Sequence, residues 1–187
     1  ETSVEGWYGS TSLNVSGTLT EANGIESIMW KLFDADDSTY RSFDKTQNDS
    51  SYTFTGTIPV SSTTDNFAVT LKAKDKAGNE KTVDVNGIHV DLDAPTFEII
   101  EPSGIPLLNG QNDCTVKVSA SDVGSGIASV KLKTDSADFG NYDAYTTSVT
   151  NGTATLTLSK EKIAASTTNI VYIEVTDKVG KNLVKQF

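Results

Sequence analysis

The chain has 187 residues and a formal net charge of −10 at pH 7, with 15 Lys and Arg against 25 Asp and Glu. This length is sufficient for two small domains of about 100 residues each. The negative charge would repel phosphate backbones and anionic lipid surfaces, and no block of basic residues offsets it locally. No apolar run approaches the roughly 20 residues that a membrane-spanning helix needs. We therefore expect no nucleic-acid partner, no membrane insertion and a monomeric chain.

The chain has few side chains suited to catalysis or zinc binding, because it contains one Cys, one His and one Met. Zinc sites and hydrolase triads need several such residues. Cys114 is in phase with the apolar residues of its segment, which predicts a small buried core residue. His89 is out of phase with its apolar neighbours, which predicts a solvated position. Acidic pairs in open loops lack the apolar pocket that would raise one pKa, so we expect no enzymatic activity.

Ten stretches of the chain alternate apolar and polar residues, and clusters of Gly, Asn, Asp, Ser and Pro separate them. This period of two is typical of half-buried antiparallel strands. The predicted strands are residues 13–20, 27–33, 52–58, 67–74, 82–90, 96–100, 114–121, 127–133, 153–158 and 170–176. Residues 159–165 have the composition of a single helical turn.

The second half of the sequence repeats the first. Residues 24–28 (Gly-Ile-Glu-Ser-Ile) match residues 126–130 (Gly-Ile-Ala-Ser-Val), an offset of 102 positions. Residues 69–78 match residues 171–180 at the same offset. Two separate matches at one offset indicate tandem domains of one fold rather than a single large sheet.

The boundary between the two domains is predicted near residues 91–95, where a strand ends and Pro95 prevents its continuation. The predicted domains are therefore residues 1–93 and 94–187. Each holds about seven short strands in roughly 90 residues, the number expected of an immunoglobulin-like sandwich. The predicted fold class is all-β, with two tandem immunoglobulin-like antiparallel β-sandwich domains joined by a short linker.

Trp30 agrees with this fold. It is in phase with Ile28 and Leu32 on its predicted strand, at a place where such sandwiches often bury a Trp. Leu132 takes the equivalent position in the second copy. An exchange of Trp for Leu suits a core position better than a ligand-binding position, so we expect Trp30 in the core.

Four motifs of the first copy carry a resemblance to a known family: Gly-Trp-Tyr at residues 6–8, Asn-Gly-Ile-Glu-Ser-Ile at 23–28, Asp-Lys-Ala-Gly-Asn at 75–79 and Val-Asp-Leu-Asp-Ala-Pro at 90–95. In this order they resemble the bacterial immunoglobulin-like repeats of large surface and secreted proteins. The second copy is similar through residues 121–127 and 176–181. It departs from the pattern by lacking the Gly-Trp-Tyr opening and by having Lys181 where the first copy has Asn79.

The resemblance implies a non-catalytic structural, spacer or adhesive module pair of a bacterial cell-surface or secreted protein, with an extracellular location. The implied partners are neighbouring repeats of the same chain and an unidentified protein or glycan ligand. The alternative is a carbohydrate-binding accessory module of a secreted enzyme, which would need two or three coplanar exposed aromatic rings. The candidate rings are those of Trp7, Tyr8, Tyr40, Tyr142 and Tyr145.

Acidic residues concentrate in loops that an immunoglobulin-like topology brings toward the linker. The candidate metal ligands are Asp91, Asp93, Asp122 and Asp177 at one pole of the second domain, and Asp34 and Asp36 at the facing pole of the first. Clustered carboxylates supply the oxygen ligands that calcium prefers, so one interpretation is a calcium site that stiffens the linker. The spacing does not match an EF-hand loop. The other interpretation is that Asp75 and Asp177 cap turns by accepting backbone hydrogen bonds. No cofactor is required by either interpretation.

Overall fold

A computed structural model describes residues 6–48, 51–103, 111–165 and 170–186. The chain forms two compact units, Glu1–Leu92 and Asp93–Phe187. Strands dominate the described part of both units, as the alternating pattern predicts. No helix among the described residues has the length and apolarity that crossing a membrane requires.

The first unit is built from strands that the alternating segments predict, together with short additional ones. Its described strands are β1 (Trp7–Tyr8), β2 (Ser12–Thr20), β3 (Ile25–Leu32), β4 (Arg41–Ser42), β5 (Asp44–Asn48), β6 (Ser51–Pro59), β7 (Thr64–Asp75) and β8 (Glu80–Val90). One 3₁₀ turn follows β3, at Asp37–Thr39.

The second unit repeats this plan and adds one short helix. Its described strands are β9 (Thr96–Glu101), β10 (Cys114–Ser121), β11 (Ile127–Thr134), β12 (Ala144–Thr146), β13 (Val149–Thr150), β14 (Thr153–Leu158), β15 (Val171–Asp177) and β16 (Asn182–Gln186). The helix α1 (Lys160–Ala165) confirms the helical turn predicted from the sequence. A 3₁₀ turn lies at Phe139–Asn141.

Each unit is a sandwich of two sheets. In the first unit the strand orders are β1-β8-β7-β3-β4 and β2-β6-β5. In the second unit they are β12-β11-β15-β16 and β13-β14-β10-β9. All the pairings are antiparallel except that of β1 with β8. The predicted immunoglobulin-like β-sandwich fold is therefore confirmed.

Trp30 lies in the core of the first unit, as predicted. Its side chain is buried, and its ring centroid lies 6.4 Å from that of Phe43. The guanidinium of Arg41 lies over the indole at 5.4 Å from the ring. Leu132, at the equivalent position in β11, is fully buried in the second core. Both side chains fill the space between two sheets, which explains why a large and a smaller apolar residue occupy equivalent places.

The two cores distribute side-chain volume differently at one cross-strand pair. Gly17 lies opposite Phe54, and a Cβ atom at Gly17 would lie 2.5 Å from the Phe54 ring. The corresponding pair in the second unit is Val118 and Ala154. A large residue on β6 thus requires glycine on β2, whereas a small residue on β14 leaves room for valine on β10.

Two single-residue predictions differ from the structure. His89 is partly buried rather than solvated throughout, because β1 runs parallel to β8 and sets Trp7 against it with ring centroids 5.1 Å apart. The Nδ1 atom of His89 is buried and has no hydrogen-bond partner among the described residues. Cys114 is only partly buried and packs against the side of the second core. Burial raises the pKa of the Cys114 thiol, which keeps it protonated and weakly reactive at neutral pH.

Candidate metal centre

Three carboxylates come together beside the connecting segment, residues 91–95, that leads from β8 into β9. One carboxylate oxygen from each of Asp91, Asp122 and Asp177 lies within 4.8 Å of the other two. Asp91 and Asp177 are 0% and 1% exposed. These residues, named here the three-Asp cluster, are three of the six ligands proposed from the sequence.

The strand pattern of β15 explains the burial of Asp177. Buried and partly buried residues alternate along this strand, and Asp177 is in phase with the core residues Ile173 and Val175. Its Oδ1 accepts a hydrogen bond from the backbone N–H of Lys181 at 2.8 Å. The positive φ of Gly180, 92°, allows this tight turn. Asp177 therefore caps the turn, as one interpretation predicted, and also faces the cluster.

Asp122 is held by the loop between β10 and β11. Its Oδ2 accepts hydrogen bonds from the backbone N–H groups of Gly124 at 3.0 Å and Gly126 at 2.8 Å. Its other oxygen, Oδ1, is buried and has no hydrogen-bond partner among the described residues. A buried polar atom without a partner is costly, and a bound ion or water is a common reason for it. This oxygen is therefore positioned to accept a hydrogen bond from water or to bind a cation.

Backbone contacts within the first unit hold the connecting segment that carries Asp91. The N–H of Asp91 donates to the carbonyl of Tyr8 at 2.9 Å, and the next residue, Leu92, donates to Oγ1 of Thr63 at 2.8 Å. Asp91 also follows the fully buried Val90 at the end of β8. The position of its carboxylate is therefore set by a strand end rather than by an open loop.

The donor set and its spacing fit calcium. Calcium binds oxygen ligands at about 2.3–2.6 Å, so two ligands on opposite sides of one ion are roughly 4.8 Å apart. The separations in the cluster do not exceed this distance. The absence of His and Cys from the three residues argues against zinc, which prefers nitrogen and sulfur. A divalent cation would also offset the repulsion among three close carboxylates.

The other three proposed ligands do not join this group. Asp93 is exposed and is not one of the three clustered carboxylates. Asp34, with a φ of 64°, and Asp36 are exposed in the loop between β3 and the following 3₁₀ turn. Within the described residues, the three-Asp cluster is the one set of three acidic, His or Cys ligands that meet within 4.8 Å.

The equivalent turn in the first unit shows what Asp177 would do as a cap alone. Asp75 Oδ1 accepts from the backbone N–H of Asn79, and Oδ2 accepts from the Asn79 side-chain amide, both at 2.8 Å. These bonds use both carboxylate oxygens of Asp75. The residue of the second unit that corresponds to Asn79 is Lys181, whose side chain has no amide group to donate to Asp177. The exchange of Asn79 for Lys181 was visible in the sequence. These contacts show its consequence, which is that Asp177 lacks the side-chain amide hydrogen bond that Asp75 accepts.

We expect Asn79→Ala to weaken the first unit in a pH-dependent manner. The Asn79 side chain is the main cause that lowers the pKa of Asp75, followed by the backbone N–H groups of the turn. A lowered folded-state pKa means that the carboxylate stabilises the fold above the ordinary Asp value, and that this stability is lost as the pH falls through the folded-state pKa. Asn79→Ala should therefore raise the pKa of Asp75, as measured by NMR titration of its carboxyl carbon.

A matched variant controls this experiment. Asn66 accepts a hydrogen bond from Gly87 at the other end of the β7–β8 pair. Asn66→Ala should leave the titration of Asp75 unchanged. Identical Asp75 titrations in the wild type and in Asn79→Ala would show that the side-chain amide has no role in the turn.

The aromatic rings considered for carbohydrate binding do not form a flat platform. Tyr142 and Tyr145 are both about half exposed, with ring centroids 5.3 Å apart, but their planes are tilted by 33°. The other three contact neighbouring groups: Trp7 lies against an imidazole, Tyr8 against a small apolar cluster, and Tyr40 near two ammonium groups. Sugar rings stack best on coplanar exposed aromatics, so this geometry does not favour the alternative function.

Comparisons with known proteins give one family match. The family model described as "Bacterial Ig-like domain" matches residues 2–92. No curated protein matches the sequence. This family match confirms the resemblance seen in the motifs of the first copy.

Solved structures that match this chain include two bacterial adhesins and the ICAM-5 ectodomain fragment. A Ca²⁺-stabilised adhesin with which an Antarctic bacterium binds ice is 19% identical over 98% of this chain and 44% of that chain, with a TM-score of 0.42. A 1.5-MDa bacterial ice-binding adhesin is 18% identical over 98% and 57%, with a TM-score of 0.41. The ICAM-5 D1–D4 ectodomain fragment is 20% identical over 97% and 42%, with a TM-score of 0.44. The chain thus spans about half the length of these chains. The family model extends from residue 2 to the end of the first unit, so the whole of this unit is similar to bacterial immunoglobulin-like domains.

Proposed function

We propose that the chain is a non-catalytic structural or adhesive module pair of a bacterial cell-surface or secreted protein, and that its three-Asp cluster binds calcium. The observation that carries the calcium proposal is the cluster itself: carboxylates of Asp91, Asp122 and Asp177 meet within 4.8 Å, and Asp122 Oδ1 is buried without a hydrogen-bond partner among the described residues. In this proposal the chain is extracellular and monomeric, and neighbouring repeats of the same chain are its partners.

The bound ion would have a mechanical role. Asp91 belongs to the connecting segment, whereas Asp122 directly follows strand β10 and Asp177 ends strand β15. An ion shared by the three carboxylates would restrain the connecting segment, which Pro95 already restricts in its backbone freedom. A restrained segment suits a module that holds other domains away from a surface. Such a role needs no catalytic group, in agreement with the small number of reactive side chains.

Calcium should raise the thermal stability of the metal-free protein. A ligand that binds only the folded state at 100 times its Kd stabilises that state by about 2.7 kcal/mol. For a domain of this size, that corresponds to a rise in Tm of roughly 10–20 °C. The measurement is a calorimetric scan of the EDTA-treated protein, alone and with excess calcium, with magnesium at equal ionic strength as the comparison.

Two asparagine variants make the test specific to the cluster. Asp122→Asn keeps an oxygen that can accept from Gly124 and Gly126 but removes the charge, so it should abolish the calcium response. Asp93→Asn changes an exposed residue outside the cluster and should keep the response. Superimposable scans with calcium and EDTA would contradict the calcium proposal and leave a metal-free structural module. An equal response in Asp122→Asn would show that calcium binds elsewhere.

A further inference from the structure

The two units differ at one sheet edge. In the second unit β10 is flanked by β14 and β9, whereas in the described part of the first unit the equivalent strand β2 pairs with β6 alone. Both strands precede the same type of turn: Asn23 N–H donates to the Glu21 carboxylate at 3.2 Å, and Gly124 N–H donates to that of Asp122 at 3.0 Å. The described part of the first unit therefore has an open edge where the second unit has an additional strand.

The backbone groups at this open edge can be assigned from the register. The N–H of Val60 donates to the carbonyl of Thr11 at 2.9 Å, and this register continues along β2 and β6. Hydrogen-bonded and non-bonded pairs alternate in an antiparallel ladder, so odd-numbered residues of β2 bond to β6. Ser16 and Thr18 consequently direct their N–H and C=O groups toward the open edge. An unpaired edge of this kind is a template for another strand.

The second unit shows the same alternation with its partner present. The N–H of Ala120 donates to the carbonyl of Gly152, the residue just before β14. The residues on either side of Ala120 therefore direct their backbone groups toward β9. Ser119 pairs with Glu98, and Lys117 pairs with Glu101. Thr18 and Ser16 of β2 occupy the places of Ser119 and Lys117 relative to their turns. The β9–β10 pair is thus a template for what would fit β2.

An apolar groove lies beside the open edge, between the two sheets of the first unit. It has a volume of about 410 Å³ and an apolar lining. Val83 in its wall is 52% exposed. The residues that define it are Leu19, Ile28, Phe54, Leu71, Ala73 and Val83. Exposed apolar surface of this kind next to unpaired backbone indicates a binding surface.

In the second unit an aromatic side chain of β9 fills the corresponding place. Phe97 lies opposite Ala120, the counterpart of Leu19, and is 3% exposed. The ammonium of Lys185 lies 4.8 Å from the Phe97 ring centroid. Lys185 pairs with Ile173 across the sheet, as Val83 pairs with Leu71. Val83 is therefore the counterpart of Lys185. In the second unit Lys185 covers Phe97, whereas in the first unit Val83 lines an open groove.

The alternation along β9 shows how such a strand would be seated. Phe97 and Ile99 pack into the second core, whereas Glu98 between them is exposed. In an extended peptide of this sequence the aromatic and aliphatic side chains would therefore enter the groove, and the acidic side chain would face solvent.

We propose that the β2 edge and this groove form an acceptor site for an extended peptide with the chemistry of β9, namely an aromatic and an aliphatic residue separated by an acidic residue. The peptide runs antiparallel to β2, bonds to the backbone of Ser16 and Thr18, and inserts its aromatic side chain beside Leu19. Strand addition of this type gives affinity through the backbone and specificity through the side-chain pocket. The proposal does not depend on calcium binding.

The test is an NMR titration of the ¹⁵N-labelled chain with a synthetic peptide that has the sequence of residues 94–102. We expect shift changes and slower amide hydrogen exchange at Ser16 and Thr18. Thr18→Pro should abolish them, because proline removes the N–H that faces the peptide and leaves the bonds to β6 in place. Thr18→Ala keeps the N–H and should bind as the wild type does.

A changed peptide tests the groove without altering the protein. Replacement of the residue corresponding to Phe97 by serine should weaken binding at least tenfold. No shift at the β2 amides with about 1 mM peptide, a concentration that half-saturates a site with a Kd of 1 mM, would overturn the proposal. Equal binding of both peptides would also overturn it, as would a dimer in sedimentation whose interface maps to β2, because a second copy would then occupy the edge.

Discussion

Replacement of Trp30 by alanine should destabilise the first unit by roughly 3–5 kcal/mol, the usual range for removal of a buried Trp or Phe side chain. Trp30 is 5% exposed, lies opposite Leu71 in the sheet and contacts Phe43 across the core. Its loss would leave a cavity between two sheets that strand backbones cannot readily close. The measurement is urea unfolding followed by circular dichroism, since the variant also loses a fluorescent residue.

The internal repeat supplies the controls for this variant. Trp30→Leu introduces the residue that the second unit has at Leu132, and its cost should be smaller than that of alanine because part of the volume is kept. Leu132→Ala should lower the free energy of unfolding of the second unit by about 2–5 kcal/mol and leave that of the first unit unchanged. A change below about 1 kcal/mol in Trp30→Ala would contradict a core role.

Hydrophobic alternation predicted the strands that bury one face, and it missed β5, which buries none of its residues. The segments 114–121 and 153–158 agree with β10 and β14, whose buried residues alternate with exposed ones. All five residues of β5 (Asp44–Asn48) are exposed. Their sequence therefore contains no alternation to detect. β5 forms because β6 offers it an edge, and that information is not local in the sequence.

The three-Asp cluster was predictable in part for a similar reason. Tandem repetition and an immunoglobulin-like topology together bring strand ends to one pole, which places Asp122 and Asp177 near each other. Asp34 and Asp36 were proposed from loop composition alone, and the structure places both in an exposed loop outside the cluster. The contact of Trp7 with His89 depends on the parallel pairing of β1 and β8, which no local pattern indicates.

Asp143 is the clearest case of a residue whose role the sequence did not reveal. It precedes β12 in a polar, tyrosine-containing segment that resembles a solvated loop. In the structure its side chain is only 2% exposed, and its N–H donates to the carbonyl of Leu132 at 2.8 Å. Its Oδ2 accepts from the N–H of Thr134 at 2.8 Å and from the Thr134 hydroxyl at 2.7 Å. Lys133 and Lys162 lie 3.5 and 3.4 Å from Oδ1. This burial arises from tertiary packing.

Asp143→Ala should destabilise the second unit by about 3–5 kcal/mol, because removal of one partner from a buried charged network leaves the remaining groups unpaired. Thr134 would lose the acceptor for two donors, and Lys133 would lose its counter-ion. The measurement is urea unfolding at pH 7. Asp138→Ala removes an exposed acid from the preceding loop and should cost about 1 kcal/mol or less, as loss of a turn cap does.

The pH dependence separates the charge of Asp143 from its hydrogen bonds. Burial raises the pKa of Asp143, but the hydrogen bonds from Thr134 and the charge of Lys133 outweigh it, so that the pKa is lowered overall. The ionised carboxylate therefore stabilises the fold above the ordinary Asp pKa of about 3.9, and this contribution is lost as the pH falls through the folded-state value. Asp143→Asn keeps one oxygen acceptor without the charge, so the difference in unfolding free energy between it and the wild type should be large at pH 7 and should shrink below about pH 4. A difference independent of pH would assign the effect of Asp143 to shape and hydrogen bonding rather than to charge.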